Sequence, residues 1–175
     1  MSTALQTEAG RPDTTHRLLT LELATPESFA SYGQVIMPGE DGVAFGEADA
    51  QLDLTAGVPR FYSMQLTHRG RRFSHITRHR MVTQCLGAMM GMGWMLGVAE
   101  ANAGPAPKLE TLKAFFVPGD RFIKLHKGTW HAGPYFDASA VVFYNLELAD
   151  TNIVDHDTCD LKQQFGIEFE FGPSM

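Results

Sequence analysis

The sequence has few of the features that mark disulfide-rich or membrane-spanning proteins. It contains only two cysteines, Cys85 and Cys159, among 175 residues, so we expect free thiols rather than a disulfide framework. The longest uncharged apolar run, residues 85–99, is too short to cross a bilayer. Glycine patterns of Walker or Rossmann phosphate-binding loops are also missing. From these absences we expect neither association with a membrane nor a nucleotide-binding site.

The charge balance excludes another class of partner. A net charge of −6, with no basic stripe carrying aromatic residues, disfavours nucleic acid. The first eight residues have neither the basic nor the apolar region of a signal peptide, which predicts a cytoplasmic protein. Residues 1–15 are polar and lack periodicity, so we expect a disordered leader followed by one domain over residues 16–175.

Short apolar segments separated by turn residues predict an all-β fold, a sandwich or a barrel. The 17 glycines and 9 prolines agree with many turns. Thr25 and Pro26 have the residue types of a helix start and Gly33 that of a stop, so one short N-terminal helix is expected. The predicted strands cover residues 18–23, 34–37, 61–67, 73–79, 82–98, 111–117, 121–126, the neighbourhood of 131, 140–148 and 166–171.

Two histidines five residues apart are the first candidate for chemistry. His126 and His131 flank a Gly-Thr turn, which would fold the chain back and let both imidazoles face one cavity. Lys124 lies two residues before His126 and therefore on the same side of a strand. A cation beside an imidazole suits a small anionic substrate.

A second pair of histidines lies earlier in the chain. Four residues of strand would separate His75 from His79 by about 13 Å, so the two cannot ligate one ion. At most one of them belongs to a site with His126 and His131, and the spacing leaves open which.

Other polar segments have simpler interpretations. Asn145 and Glu147 share one face of the strand that also carries Tyr144, and that face could border a cavity or bulk water. Cys85 lies in an apolar run, where a nucleophilic thiolate is disfavoured. The acid-rich segment 150–160 lacks the features of a calcium loop and is predicted to be a capped turn.

Three segments, in order, resemble the ureidoglycolate lyase family. They are residues 28–36 (SFASYGQVI), residues 78–84 (RHRMVTQ) and the stretch from residues 112–115 (LKAF) to residues 125–131 (LHKGTWH). The resemblance implies a cupin-like β-barrel or sandwich. It also implies a lyase that releases urea and glyoxylate from ureidoglycolate in purine nitrogen catabolism, acting as a homodimer.

The cupin pattern implies particular site residues. His79 and Gln84 match the first cupin motif, and His131 takes the metal-ligand position of the second, so these three form the implied set for a weakly held divalent ion. Nickel is the ion associated with the family. For the reaction itself we expect His131, His126 and Lys124 to be catalytic, and Arg78, Gln84, Trp130, Tyr144 and Asn145 to bind the substrate.

Two alternatives remain at this stage. A cupin enzyme of the same build could act on another small polar acid, such as a sugar acid or a keto acid. A non-catalytic cupin could instead bind a small molecule, and Thr77 and Gln84, which stand where cupins carry stronger ligands, favour that alternative.

Overall fold

The computed structural model describes residues 14–173. Residues 1–13 of the predicted leader lie outside this range, and Thr15 already belongs to the first strand. The strands are β1 (Thr15–Leu19), β2 (Leu21–Leu23), β3 (Gly33–Ile36), β4 (Pro59–Thr67), β5 (Arg72–Phe73), β6 (His75–Arg78), β7 (Gln84–Ala88), β8 (Gly91–Ala99), β9 (Lys113–Gly119), β10 (Phe122–Leu125), β11 (Trp130–Tyr135), β12 (Ala140–Leu148), β13 (Asp157–Asp160) and β14 (Ile167–Phe171). The helices are a 3₁₀ turn (Leu109–Thr111), α1 (Thr151–Val154) and α2 (Leu161–Phe165).

The described strands pair into three sheets. A five-stranded sheet has the order β3-β10-β7-β12-β4, and a six-stranded sheet has the order β13-β6-β11-β8-β9-β2. A smaller sheet, β1-β14-β5, completes the fold. All pairs are antiparallel except β1 with β14 and β2 with β9. This arrangement confirms the predicted all-β, cupin-like sandwich.

Two apolar clusters fill the spaces between the sheets. The first lies between the five- and six-stranded sheets and includes Trp94, Phe115 and Phe143. The second packs the other side of the six-stranded sheet against the small sheet and includes Phe73 and Phe171. Alternate residues of a strand face opposite sides, so the central sheet supplies side chains to both clusters.

The structure differs from the sequence predictions in two connecting segments. Thr25 to Gly33 forms successive turns with two i to i−4 hydrogen bonds and not a continuous helix, although the Thr25 hydroxyl accepts from the Ser28 amide as a cap would. Residues 150–160 are not only a capped turn, because they contain α1 and β13, which pairs with β6. Among the described residues, no helix is long and apolar enough to span a membrane.

Candidate active site

A polar cavity of about 160 Å³ lies between the five- and six-stranded sheets. It occupies a part of the inter-sheet space where polar residues replace the apolar ones of the first cluster. Strand alternation explains the composition, because Phe143 of β12 enters the core while Asn145 and Glu147 on the same face reach the cavity. The polar residues of the lining are Tyr62, Arg69, Thr77, His79, Gln84, His131, Asn145, Glu147, Asn152 and His156.

Two imidazoles lie side by side in this cavity. The ring centroids of His79 and His131 are 5.1 Å apart, and the exposed His156 ring lies 5.5 Å from His79. His131 is held by β11, where it pairs with Thr77 of β6. His79 follows β6 in a segment that Asp155 fixes. The Asp155 carboxylate accepts hydrogen bonds from the backbone amides of Arg80 and Met81, which follow His79.

Backbone carbonyls set the proton positions on both rings. Nδ1 of His131 is 3.3 Å from the carbonyl oxygen of Thr129, and Nδ1 of His79 contacts that of Asp155. Since a carbonyl oxygen can only accept, Nδ1 carries the proton of each neutral ring and Nε2 keeps its lone pair. The Thr77 hydroxyl lies 3.4 Å from Nε2 of His131. Both rings therefore can act as bases through Nε2.

Burial keeps both rings neutral. It lowers the pKa of His131 to about 3, with a further lowering from neighbouring His79. The pKa of His79 is also lowered, mainly by burial, although the Asp155 carbonyl opposes this. Two adjacent positively charged imidazoles would repel each other, so at most one ring of the pair is protonated on both nitrogens at a time.

A buried carboxylate forms the opposite wall. Glu147 accepts hydrogen bonds from the Tyr62 hydroxyl at 3.1 Å, the Asn152 amide at 3.2 Å and the Gln84 amide at 2.9 Å. Burial is the main cause of the raised pKa of Tyr62, so this phenol stays protonated and can donate. The Asn145 amide donates to Tyr62, but its buried Oδ1 atom has no partner among residues 14–173. That oxygen is available to a ligand N–H group.

A cation stands where the cavity meets a second, more polar cleft. Arg69 donates to the Pro134 carbonyl at 3.3 Å, and its guanidinium lies 4.2 Å from the centroid of the Tyr135 ring. Arg69 and His156, both exposed, line the cavity and also the adjoining cleft of about 410 Å³. The guanidinium can thus meet an anion as it enters.

The structure separates the two histidines that the sequence predicted to share a cavity. His126 lines a different pocket, on the outer face of the five-stranded sheet, together with Lys124. Lys124 and Leu125 are consecutive in β10, and only Leu125 faces the inner cavity. The expectation that His126 and His131 face one cavity is therefore wrong, because the two rings lie on opposite faces of the five-stranded sheet. The prediction that Lys124 and His126 point the same way is confirmed, with Nζ 3.0 Å from Nδ1.

The remaining predicted residues divide between the cavity and the rest of the fold. Gln84 and Asn145 line the cavity, and His79 rather than His75 supplies the imidazole from the β6 region. Arg78, only 1% exposed, lies outside that lining and bonds to Asp157 and two backbone carbonyls. Its guanidinium lies 4.2 Å from the centroid of the Trp130 ring, which belongs to the second core cluster. Tyr144 stacks with Phe61 and Phe122 on the outer sheet face.

A family comparison agrees with this architecture. A family model described as ureidoglycolate lyase matches residues 16–167. The chain belongs to the ureidoglycolate lyase family. No curated protein matches the sequence significantly. The region matched by the ureidoglycolate lyase family model includes both sheets that enclose the cavity, since β2 to β13 lie within residues 16–167.

The metal implied by the cupin pattern is tested by the donor arrangement of this ureidoglycolate lyase family member. Within residues 14–173, no group of three or more His, Cys, Asp or Glu side chains is placed to hold a metal ion. His79 and His131 offer two imidazoles, and the third implied ligand, Gln84, donates its amide to Glu147. The Glu147 carboxylate already receives three hydrogen bonds. These residues do not fit a divalent ion as arranged.

Several lining residues were missed by sequence reasoning. Glu147 had a signal, because it alternates with Asn145 on β12, but alternation alone did not distinguish a cavity from solvent. Tyr62 has the same type of signal on β4. Arg69, Asn152 and His156 lie in loops or in the short helix α1, and their spacing in the sequence carries no periodic signal.

Proposed function

We propose that this chain is a ureidoglycolate lyase that releases urea and glyoxylate from ureidoglycolate. The observation that carries the proposal is the pair of neutral imidazoles, His79 and His131, facing an amide- and carboxylate-lined cavity with a guanidinium at its entrance. Membership in the family supports the same substrate class. The proposal replaces His126 by His79 in the proton transfers, because His126 lies in the outer pocket.

The reaction cleaves one C–N bond and needs only proton transfers from the protein. One carbon of ureidoglycolate carries a hydroxyl, a ureido nitrogen and a carboxylate. The O–H bond breaks, the oxygen forms the carbonyl of glyoxylate, and the C–N bond releases its electron pair to the departing urea. The proton taken from the hydroxyl returns to that nitrogen, so the step is balanced without an oxidant or reductant.

One imidazole of the pair serves as the proton carrier. Nε2 of His79 takes the hydroxyl proton and returns it to the departing nitrogen, which lies on the same carbon. His131 stays neutral, since its pKa of about 3 disfavours protonation. Its Nε2 atom can only accept, so it orients the substrate by receiving a hydrogen bond from a ureido N–H group. The two rings act as a unit, and loss of either should stop efficient proton transfer.

The polar wall fits the rest of the substrate. The Arg69 guanidinium would hold the carboxylate, a role that the sequence had suggested for Lys124 or Arg78. The ureido N–H groups would donate to the unpartnered Asn145 Oδ1 and to Glu147. The Gln84 and Asn152 amides hold the Glu147 carboxylate in position for this contact.

Product analysis tests the proposal directly. Purified protein is incubated with ureidoglycolate, and urea and glyoxylate are quantified against a His79→Asn/His131→Asn double variant, which corrects for spontaneous breakdown. We expect equal amounts of both products from the wild type, well above the double variant. Equal rates for the two proteins would contradict the proposal. Turnover of a sugar acid or keto acid instead, or binding of such acids without turnover, would support the two alternatives.

The predicted homodimer and cytoplasmic location remain predictions. A row of stacked aromatic side chains on the outer face of the five-stranded sheet, Phe61, Tyr144 and Phe122, supports self-association. Phe61 is 66% exposed in the single chain, and such exposed apolar side chains are typical of interfaces. Sedimentation equilibrium would give the mass in solution, and a monomer would rule the homodimer out.

A further inference from the structure

The outer pocket around Lys124 is larger than the candidate active site. It has a volume of about 590 Å³, within the range of small-molecule sites. Its floor is the outer face of β3 and β10, and the loop of residues 37–51 closes one side. Gln34 fixes this loop by donating to backbone carbonyls of Glu47 and Asp49 and accepting from the Gln51 amide.

The pocket contains a buried ammonium group that lacks an anionic partner. Lys124 is only 3% exposed, and it takes part in none of the ion pairs formed within residues 14–173. Among the described residues its one side-chain hydrogen-bond partner is Nδ1 of His126, 3.0 Å away, which leaves two of its N–H donors for a ligand. Buried charges are normally paired, so this ammonium indicates a missing counter-ion.

The neighbouring groups do not supply that negative charge. Cys85 is the cross-strand partner of Lys124, but burial raises the pKa of its thiol to about 11 and the thiol stays neutral. Nε2 of His126 lies 3.3 Å from the Ala30 carbonyl and donates to it, so the ring is neutral and accepts from Lys124. Glu47 lines the pocket but does not approach Lys124 within ion-pair distance.

The walls define the body of the ligand. Most of the lining is apolar, and it includes Pro26, Ala30, Val35, Met37, Pro38 and Ala48. A ligand that satisfies both parts of the pocket has one anionic group and an apolar portion. Glu47 would disfavour a second negative charge.

We propose that the outer pocket is a second binding site, separate from the inner cavity, for a small organic monocarboxylate with an apolar body. The carboxylate receives hydrogen bonds from the Lys124 ammonium, and the apolar portion packs against Met37 and Pro38. This site does not depend on the lyase activity, because none of its lining residues borders the inner cavity.

Calorimetric titration of the full chain tests the proposal with hexanoate as the probe and hexanamide as its neutral counterpart. We expect saturable binding of hexanoate and much weaker binding of hexanamide. Lys124→Met should lower the hexanoate affinity by about 10-fold or more, because a charge-assisted hydrogen bond is lost. Lys108→Met, which removes an exposed lysine elsewhere, is the matched control and should bind as the wild type does.

Two further variants keep the test decisive. Met37→Glu places a negative charge at a 42% exposed position of the pocket wall, where folding is not at risk, and should also weaken hexanoate binding. His131→Ala alters the inner cavity and its adjoining cleft but not the outer pocket, and should leave hexanoate binding unchanged. The proposal is overturned if the wild type does not bind hexanoate, if Lys124→Met and Met37→Glu bind it normally, or if His131→Ala abolishes binding.

Discussion

The inner cavity and the outer pocket lie on opposite faces of the same sheet and use similar residue types differently. In the inner cavity, two neutral imidazoles face a hydrogen-bonded carboxylate and the unpartnered amide oxygen of Asn145. In the outer pocket, the His126 imidazole accepts from a buried ammonium, and the walls are mainly apolar. The first arrangement has lone pairs that can move protons, whereas the second has donors that can hold an anion. The role of each histidine therefore depends on which ring nitrogen donates to a backbone carbonyl. In His79 and His131 it is Nδ1, which leaves Nε2 as a base. In His126 it is Nε2, which leaves Nδ1 to accept from Lys124.

The first prediction contrasts the histidines of the two sites. His79→Asn should lower kcat/KM for ureidoglycolate by about 10²- to 10⁴-fold, the usual contribution of a general base. His131→Asn should lower it by about 10-fold or more, because a hydrogen bond that orients the substrate is lost. His126→Asn should stay within about twofold of the wild type, because its ring does not reach the inner cavity. Steady-state assays of urea release measure all three. If kcat/KM falls as much in His126→Asn as in His131→Asn, the outer pocket takes part in catalysis and the proposed site is wrong.

The second prediction concerns the cation that meets the substrate. Arg69→Met should raise KM by about 10- to 100-fold, since a charge-assisted contact to the carboxylate is lost while the imidazole pair is intact. Arg72→Met is the matched control, because this nearby guanidinium is already paired with Glu170 at 2.7 Å. If both variants raise KM equally, the effect is one of general charge and Arg69 has no specific contact.

The third prediction uses the buried ring of His131. Its folded-state pKa of about 3 lies below the unfolded value near 6.5, so protonation favours the unfolded chain. Stability is complete above pH 6.5 and falls as the pH drops toward 3. His131 alone should cost about 2 to 3 kcal/mol of unfolding free energy at pH 4.5 relative to pH 7.5. Urea denaturation at both pH values should show that His131→Asn loses less unfolding free energy between about pH 7.5 and pH 4.5 than the wild type does. His75→Asn should lose as much as the wild type. Identical pH dependence in all three proteins would mean that His131 titrates normally.

The smallest expected effect is that of a chelator. The donor arrangement of the inner cavity does not fit a divalent ion, so treatment with EDTA should change the rate of urea release by less than about twofold. A large loss that nickel restores would instead support the metal implied by the cupin pattern. The same treatment should leave hexanoate binding at the outer pocket unchanged, because that contact involves an ammonium group.

Strand alternation explains what the sequence could and could not predict. It put Lys124 beside His126, as the structure shows, whereas the fold class was predicted from short apolar segments separated by turn residues. It could not relate His126 to His131, because the turn between them contains Gly128 with a φ of +80° and carries the chain from one sheet to the other. The Gly128 amide donates to the His79 carbonyl at 2.6 Å, a long-range contact that brings His79 close to His131.

The missing members of the site have a similar explanation. Arg69 and His156 reach the cavity because loops around β5 and before β13 meet near the edge of the six-stranded sheet. Neither loop has a periodic pattern from which a position could be derived. The sequence places Glu147 on the same face of β12 as Asn145. Only the folded structure shows that this face is buried against the second sheet.

The most direct test of the central claim is a crystal structure of the protein soaked with oxalurate, a stable analogue in which an amide carbonyl replaces the hydroxyl-bearing carbon of ureidoglycolate. The account predicts oxalurate in the inner cavity, with its carboxylate at Arg69, its ureido group at Asn145 and Glu147, and this carbonyl group beside the His79 and His131 rings. Oxalurate bound only in the outer pocket, against Lys124 and His126, would contradict it.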